Sequence, residues 1–413
     1  MLKGEYGEAA RFAMSVVSRM AEALQAEELL SIEQAHIDAC ALMSPSSLEL
    51  VRYLADHGGQ VSVPTTLSMV SLDLEHWETH GVPEDFASTS LAIAAAYRTL
   101  GCIPTWTCAP YQGYLTPRFG QQIAWGESNA VAYANSVHGA RTNRYADYLD
   151  ICAAITGRVP HTGLHRTENR KATIHFELHD TESDQWQTDA AWAAFGSLVG
   201  QLAGEHVPVI DGLPPLQPTN DMLKAFGAAV ASSGSVALFH LVRHTPEALT
   251  FDAACQGEIP KKSISLGPSD LRSAWHELSQ HQPDEAIQAV ILGCPHFSYA
   301  EFEQLARLIE QAAPARVHPN VSFKIFCSAA DLELARRGGL LETLDSFGVT
   351  LVRDTCPFHS PLIKGDVRAI ATNSGKCAYY APGELGVDIR FAAMEACVQA
   401  AITGSMHASE SPW

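Results

Sequence analysis

The chain has no excess of positive charge: 27 Lys and Arg stand against 46 Asp and Glu among 413 residues, a formal charge of −19 with histidine neutral. Binding to a phosphate backbone needs a basic surface that releases counterions, so nucleic acid is excluded as the main partner, whereas a small anion held by a local Arg or Lys is not. No apolar run reaches roughly 18 residues, which argues against a membrane-spanning helix. None of the ten cysteines belongs to a CxxC pair, so the spacing describes neither a small disulfide scaffold nor a zinc ribbon. No secretory leader is expected, because Lys3, Glu5, Glu8 and Arg11 fall in the first turns; a reducing, cytoplasmic compartment is expected.

What is present is apolar. A composition of 46% hydrophobic and 18% charged residues is that of a globular protein with a large core, and the length suits two or three domains. Residues 6–30, rich in Ala, Glu, Met and Leu at three-to-four spacing, predict an amphipathic helix with Met14 and Met20 as core filler. From residue 59 short β-branched runs alternate with helical segments. The runs 59–63 and 102–103 are expected strands in the first half. In the C-terminal third, expected strands at 289–292, 321–327, 349–353 and 369–372 alternate with helices at 299–312, 329–344 and 389–401, leaving Asn373-Ser374-Gly375-Lys376 as a loop. Such alternation implies right-handed crossovers and parallel sheets. Prolines 208, 214, 215 and 218 mark a boundary. The expected organisation is an N-terminal helical segment (1–58), an α/β domain with substrate loops (59–210) and a second α/β domain with cluster loops (211–413), around a cleft.

Three cysteines share one context: Thr107-Cys108-Ala109-Pro110, Gly293-Cys294-Pro295 and Thr355-Cys356-Pro357 each sit just past an expected strand with a proline following. Ligands in open α/β sheets lie outside the carboxyl ends of the strands, so the loops carrying Cys294, Cys356 and Lys376 should gather at one sheet edge. Soft thiolates select iron–sulfur clusters, zinc or copper(I), and three without a fourth leave a metal position open. The same pattern also describes three buried cysteines in a chain that has ten. A second dense segment holds Glu127-Ser128-Asn129, where a helix start can present side chains and backbone N–H groups to an anion, followed by Arg141 and Arg144, which suit a carboxylate clamp. Caps and surface ion pairs are the alternative for both. His36, two residues before Asp38, has the spacing of an oriented acid–base pair or of a satisfied core imidazole.

Taken together, Pro64-Thr65-Thr66-Leu67, Trp125-Gly126-Glu127-Ser128-Asn129-Ala130-Val131, Asn135-Ser136-Val137-His138-Gly139-Ala140-Arg141-Thr142-Asn143-Arg144, Ala154-Ile155-Thr156-Gly157-Arg158, Gly293-Cys294-Pro295-His296 and Asn373-Ser374-Gly375-Lys376 resemble the large subunit of aconitase X, over nearly the whole chain. The resemblance implies an aconitase-like α/β fold and an iron–sulfur hydro-lyase whose cluster is held by Cys108, Cys294 and Cys356. A 2Fe–2S cluster is the first expectation, with 3Fe–4S and 4Fe–4S forms as alternatives. It also implies a small swivelling-domain subunit as heterodimer partner, which in the superfamily supplies a candidate serine base. Two substrates follow from it: cis-3-hydroxy-L-proline, favoured by a composition low in Lys, and (R)-mevalonate 5-phosphate. Thr65, Ser128, Asn129, Arg141 and Arg144 are the expected substrate contacts, and Glu127, His36 and Lys376 the expected catalytic groups. A non-enzymatic iron–sulfur binding or regulatory protein, and a zinc enzyme using the same thiolates, are the competing readings.

Overall fold

The structure, a computed structural model, describes residues 1–38, 40–279, 285–363, 365–406 and 410–413. The chain divides into two compact units: one comprises Met1–Lys171, Ala237–Gly257 and Asp354–His359, the other Ala172–Val236, Glu258–Arg353 and Ser360–Trp413. Among the described residues no helix is long and apolar enough to cross a membrane.

Unit 1 begins with the helix Glu8–Ala23, whose buried residues Ala9, Ala13, Val17 and Ala21 recur every fourth position and form one apolar stripe. The helix is shorter than the expected 6–30, because Leu29–Ser31 instead pairs antiparallel with Arg158–Pro160. The centre of the unit is a parallel sheet of very short strands in the order Thr65–Leu67, Ala35–Ile37, Ala124–Trp125. Residues 59–63, expected as a strand, are not one: pairing starts after Pro64, whose carbonyl accepts from Ala35 N. Ile103 contributes only an isolated bridge to Thr66. Val17, Ile37, Leu54, Ile93, Tyr97 and Ile151 belong to the shared core.

The late segment Ala237–Gly257 is fastened into unit 1 by Arg170, which is 1% exposed. Its Nε and NH2 donate to the Glu247 carboxylate at 2.5–3.0 Å, while NH1 and NH2 donate to Asn135 Oδ1 and the Asn135 carbonyl. Asn135 is saturated in turn, its Nδ2 donating to the carbonyls of Thr142 and Ala237. Removing one partner of a buried ion pair costs about 3 kcal/mol or more. Arg170→Met is therefore expected to lower the unfolding free energy by about 3 kcal/mol in urea titrations; a loss under about 1 kcal/mol would show that Glu247 rehydrates freely.

Unit 2 is built on a five-stranded parallel sheet in the order Val349–Arg353, Ser322–Cys327, Ala289–Phe297, Ala369–Thr372, Asp388–Phe391. Val290, Leu292, Phe323 and Ile325 pack one face against Phe302, Leu305 and Ile309 of the helix Tyr299–Ala312. The expected helix 329–344 is interrupted at Gly338-Gly339 into Ala329–Arg337 and Leu341–Phe347. Residues 389–401 also differ from expectation, because Ile389 and Phe391 lie in an edge strand and the helix is Met394–Thr403. The proline-marked stretch contains a further strand, Pro208–Asp211; it and Lys262–Leu266 both pair in parallel with Ile174–Leu178.

Candidate active site

In unit 1 the short sheet places its carboxyl ends around one group of side chains. The strand Ala124–Trp125 turns at Gly126 into the helix Ser128–Ser136. The turn needs glycine because a Cβ there would lie 2.7 Å from Asp150 Oδ2 and 2.9 Å from Asp38 Cβ. Glu127, 3% exposed, is the N-cap residue, and every residue of the helix that follows is buried. Glu127 Oε1 accepts from Asn129 Nδ2 at 2.9 Å and from Ser128 Oγ at 3.2 Å. Asn129 Oδ1 accepts from Tyr111 OH at 2.8 Å, and the Tyr111 ring stacks on Tyr133 at 3.9 Å. A hydrogen-bonded line thus runs from the loop of Cys108 to the Glu127 carboxylate.

His36 lies fully buried in the central strand, directly across from Thr66. Its Nδ1 is bonded to Thr66 Oγ1 at 2.9 Å, so its partner is on the neighbouring strand and not the Asp38 that follows it in sequence. Thr66 Oγ1 also lies within donating distance of the Ala35 carbonyl, which makes Nδ1 the donor and leaves the lone pair on Nε2. Burial pushes the imidazole down to about 3, against the opposing pull of Glu127. Thr65 is equally buried and donates to the Val63 carbonyl at 2.8 Å.

Cys108 and Cys356, each 6% exposed, are brought together with Met69 and the partly buried Phe358. Their meeting follows from backbone pairing. Thr107 N donates to the Leu67 carbonyl, Val70 N to the Asp354 carbonyl and Cys356 N to the Val70 carbonyl, so residues 67–70 hold one cysteine loop on each side. Residues 354–359 directly follow the strand Val349–Arg353 and group with unit 1. His359 and Asp147, which sequence reasoning missed, belong to unit 1 as well. Partial burial and the Glu127 charge hold the Asp147 carboxyl above the usual range, with His359 acting in the opposite direction. The signal for Asp147 was its position three residues after the Arg141–Arg144 motif.

Arg141 is half-buried and already engaged, donating from NH1 to Thr167 Oγ1 at 2.8 Å and to the His165 carbonyl at 3.2 Å, whereas Arg144 is exposed. His165 is bonded through Nδ1 to Gln122 Oε1 at 2.6 Å and through Nε2 to Tyr145 OH, and burial pushes it down to about 3. His36 and His165 are therefore neutral in the folded chain, while an unfolded histidine titrates near 6.5. Below that value these two histidines bind more protons in the unfolded state, so their contribution to stability falls as pH drops from about 6.5 toward 3, by about 2 kcal/mol per histidine at pH 5. His165→Gln is expected to reduce the stability difference between pH 5 and pH 7 by about 2 kcal/mol in denaturation curves; an unchanged difference between the two would contradict the assignment.

In unit 2 the expected loop after residues 289–292 lies inside the strand Ala289–Phe297. The register with the next strand pairs Leu292 with Ile325 and then Phe297 with Cys327, so residues 293–296 stand opposite Phe326 alone. Gly293, with φ +87°, permits this bulge, since a Cβ there would collide with the Phe326 carbonyl. Cys294, 8% exposed, sits within it and its carbonyl accepts from Ser374 Oγ. Residues 373–376 also depart from expectation: Ser374 Oγ accepts from Cys377 N and starts the helix Gly375–Leu385, which places Lys376 in its first turn, 8% exposed. All ten cysteines are buried and none is disulfide-bonded. Among the described residues no three His, Cys, Asp or Glu side chains are gathered as a metal-holding group.

Three family models match the chain: the aconitase X first domain over residues 1–168, the second over 172–276 and the third over 287–403. A cis-3-hydroxy-L-proline dehydratase of Pseudomonas aeruginosa is 44% identical over 100% of this chain and 70% of its own length. One from Hypocrea jecorina is 41% identical over 98% and 67%. The phosphomevalonate dehydratase large subunit of Methanocaldococcus jannaschii is 33% identical over 96% of both chains. A crystal structure of Thermococcus kodakaraensis aconitase X in its holo-form superposes with a TM-score of 0.86 at 32% identity, covering 97% of each chain.

Proposed function

Because the chain belongs to the aconitase X family, we propose that it is a hydro-lyase that dehydrates cis-3-hydroxy-L-proline to a pyrroline-2-carboxylate. The observation that carries this reading is the full-length likeness to the two cis-3-hydroxy-L-proline dehydratases, which exceeds the likeness to the phosphomevalonate dehydratase large subunits. The reaction removes the proton on C2, forms the C2–C3 double bond and breaks the C3–O bond, with the departing hydroxide leaving as water. A base near C2 and a group that eases loss of hydroxide are the two requirements.

The proposed cofactor is an iron–sulfur cluster on Cys108, Cys294 and Cys356, with 2Fe–2S the first candidate. Two of the three donors support it: Cys108 and Cys356 lie together with a thioether and an aromatic ring, a soft, sulfur-rich setting that suits iron sulfide better than a hard cation. When bound, such a group supplies Lewis acidity toward the leaving hydroxyl. The rest is the work of this chain. Glu127 is our candidate for the proton acceptor, since Ser128, Asn129 and Tyr111 fix its orientation and the Tyr111 loop is that of Cys108. His36, neutral and with its Nε2 lone pair available, is the proposed acceptor for a substrate N–H or O–H. Thr65, Arg141 and Arg144 in unit 1, and Lys376 in unit 2, are the proposed contacts to the hydroxy acid, the cations serving its carboxylate. A small swivelling subunit is the proposed partner, and the cytoplasm, which keeps thiols reduced, the proposed location. The test is kcat/KM for both candidate substrates with the partner present: cis-3-hydroxy-L-proline should lead by at least about a hundredfold, equal to about 3 kcal/mol of transition-state discrimination. A lead for (R)-mevalonate 5-phosphate would reverse the assignment.

A further inference from the structure

Unit 2 holds a buried charged group that the proposed reaction does not use. Lys224, 3% exposed, projects from the helix Asn220–Ser233, with its ammonium 2.5 Å from Glu301 Oε2, 3.0 Å from Asp221 Oδ1 and 3.3 Å from the His296 carbonyl oxygen, to which it donates. The same two carboxylates accept from Ser298: its N–H donates to Glu301 Oε2 at 2.7 Å and its Oγ to Asp221 Oδ2 at 3.0 Å. A third acid, Asp189, accepts from Asn373 Nδ2 at 2.6 Å. Asp189, Lys224, Glu301, Asn373 and Ser374 line, together with Cys294, a cavity of about 20 Å³, room for a single water.

Burying one ammonium among carboxylates is expensive, and well-packed apolar residues usually do as well or better for stability alone. Burial works against the Lys224 charge, yet Asp221 and Glu301 raise its pKa above the ordinary lysine value, so it stays an ammonium. What the group grips is informative. Residues 293–296 bulge out of the sheet opposite a single residue, and a bulge of this kind leaves the ladder locally disrupted. Ser374 Oγ holds its Cys294 carbonyl, and the Lys224 group holds the other end through His296 and Ser298. We infer that Lys224 is a positioning residue: braced by Asp221 and Glu301, it fixes the 293–296 bulge and thereby the direction of the Cys294 thiol. The inference rests on the proposal that Cys294 is a cluster ligand, because a thiol that must meet a metal needs its loop preorganised.

The test uses the full chain in two states. In the cluster-free chain, amide hydrogen exchange over residues 293–298 should be at least tenfold faster in K224M than in the unsubstituted protein, with exchange in the helix Glu8–Ala23 unchanged. In the reconstituted chain, K224M should alter the electron paramagnetic resonance spectrum and midpoint potential of the cluster, and K224R should restore both. Should K224M not fold, K224M/E301Q removes one of the two carboxylates left facing the lost ammonium, and S298A, which removes the Oγ donor to Asp221 but keeps the backbone N–H to Glu301 and the ion pairs, should shift the same readouts by a smaller amount. Unchanged exchange in folded variants, or faster exchange with an unaltered spectrum, would overturn the positioning role. A C294S protein that binds a cluster with an unaltered spectrum would instead sink the ligand proposal, whatever the exchange data show.

Discussion

Cys356→Ser is expected to lose the visible absorption of the reconstituted protein and about a thousandfold or more of its dehydratase activity, and Cys108→Ser to do the same. Lewis-acid assistance to a leaving hydroxide is worth several kcal/mol, and about 4 kcal/mol corresponds to a factor of a thousand. The specificity of the effect is what makes it informative. Cys152 and Cys397 are as buried as the pair beside Met69, but they lie within the helices Leu149–Thr156 and Met394–Thr403, where burial pushes the Cys152 thiol up to about 12 and Cys397 higher still. Serine at either position leaves a buried hydroxyl in an apolar setting and should lower stability by about 1–3 kcal/mol while keeping absorption and turnover. Iron content and absorbance, measured beside urea midpoints, separate the two classes. A Cys356→Ser protein with full iron and a normal spectrum would remove that thiol from the ligand set.

Glu127→Gln should lower kcat by about 10²- to 10⁴-fold, the usual contribution of a positioned proton acceptor, with KM and the cluster spectrum nearly unchanged. Glutamine keeps an Oε1 that accepts from Ser128 and Asn129, so the start of the helix Ser128–Ser136 has little reason to move. Tyr111→Phe provides the graded control. It leaves Asn129 Oδ1 buried without its 2.8 Å donor, a cost of about 1–3 kcal/mol, and it lets the Glu127 carboxylate turn. Its kcat should lie between those of the unsubstituted protein and Glu127→Gln. A Glu127→Gln enzyme at full rate would move the base off Glu127, to His36 or to the proposed partner subunit.

Much of unit 2 was readable because its signals are local. Ser298 caps the helix Tyr299–Ala312, with Glu301 completing the box, and the β-branched runs Val349–Arg353 and Ala369–Thr372 sit between polar turns, so these boundaries coincide with expectation. The helix Gly375–Leu385 is hidden by Pro382 within it and by the start Asn373-Ser374-Gly375, which reads as a loop. The bulge at Cys294 depends on a neighbour in another strand, Phe326, and no local pattern records it. In unit 1 the strands of the central sheet are two or three residues long, too short for a period to register, so the run at 59–63 reads as a strand while pairing begins at Thr65. The site shows the same division. Loop context alone singled out Cys108 and Cys356, but their adjacency comes from the pairing of residues 67–70 on both sides. Likewise the partners Thr66 for His36 and Tyr111 for Asn129 are cross-strand and tertiary, invisible to spacing along the chain.

The central claim is that a cluster-bearing chain of this family removes water from cis-3-hydroxy-L-proline. Its most direct test is anaerobic reconstitution with iron and sulfide, in the presence of the proposed small partner subunit, followed by proton NMR of the substrate alongside the visible spectrum. The account predicts that the C2 proton and C3 hydroxymethine signals disappear, that pyrroline-2-carboxylate appears, and that the rate rises in proportion to bound iron and vanishes in Cys108→Ser. Turnover that is equally fast in chelator-treated protein, or no turnover in a complex fully loaded with cluster, would contradict it.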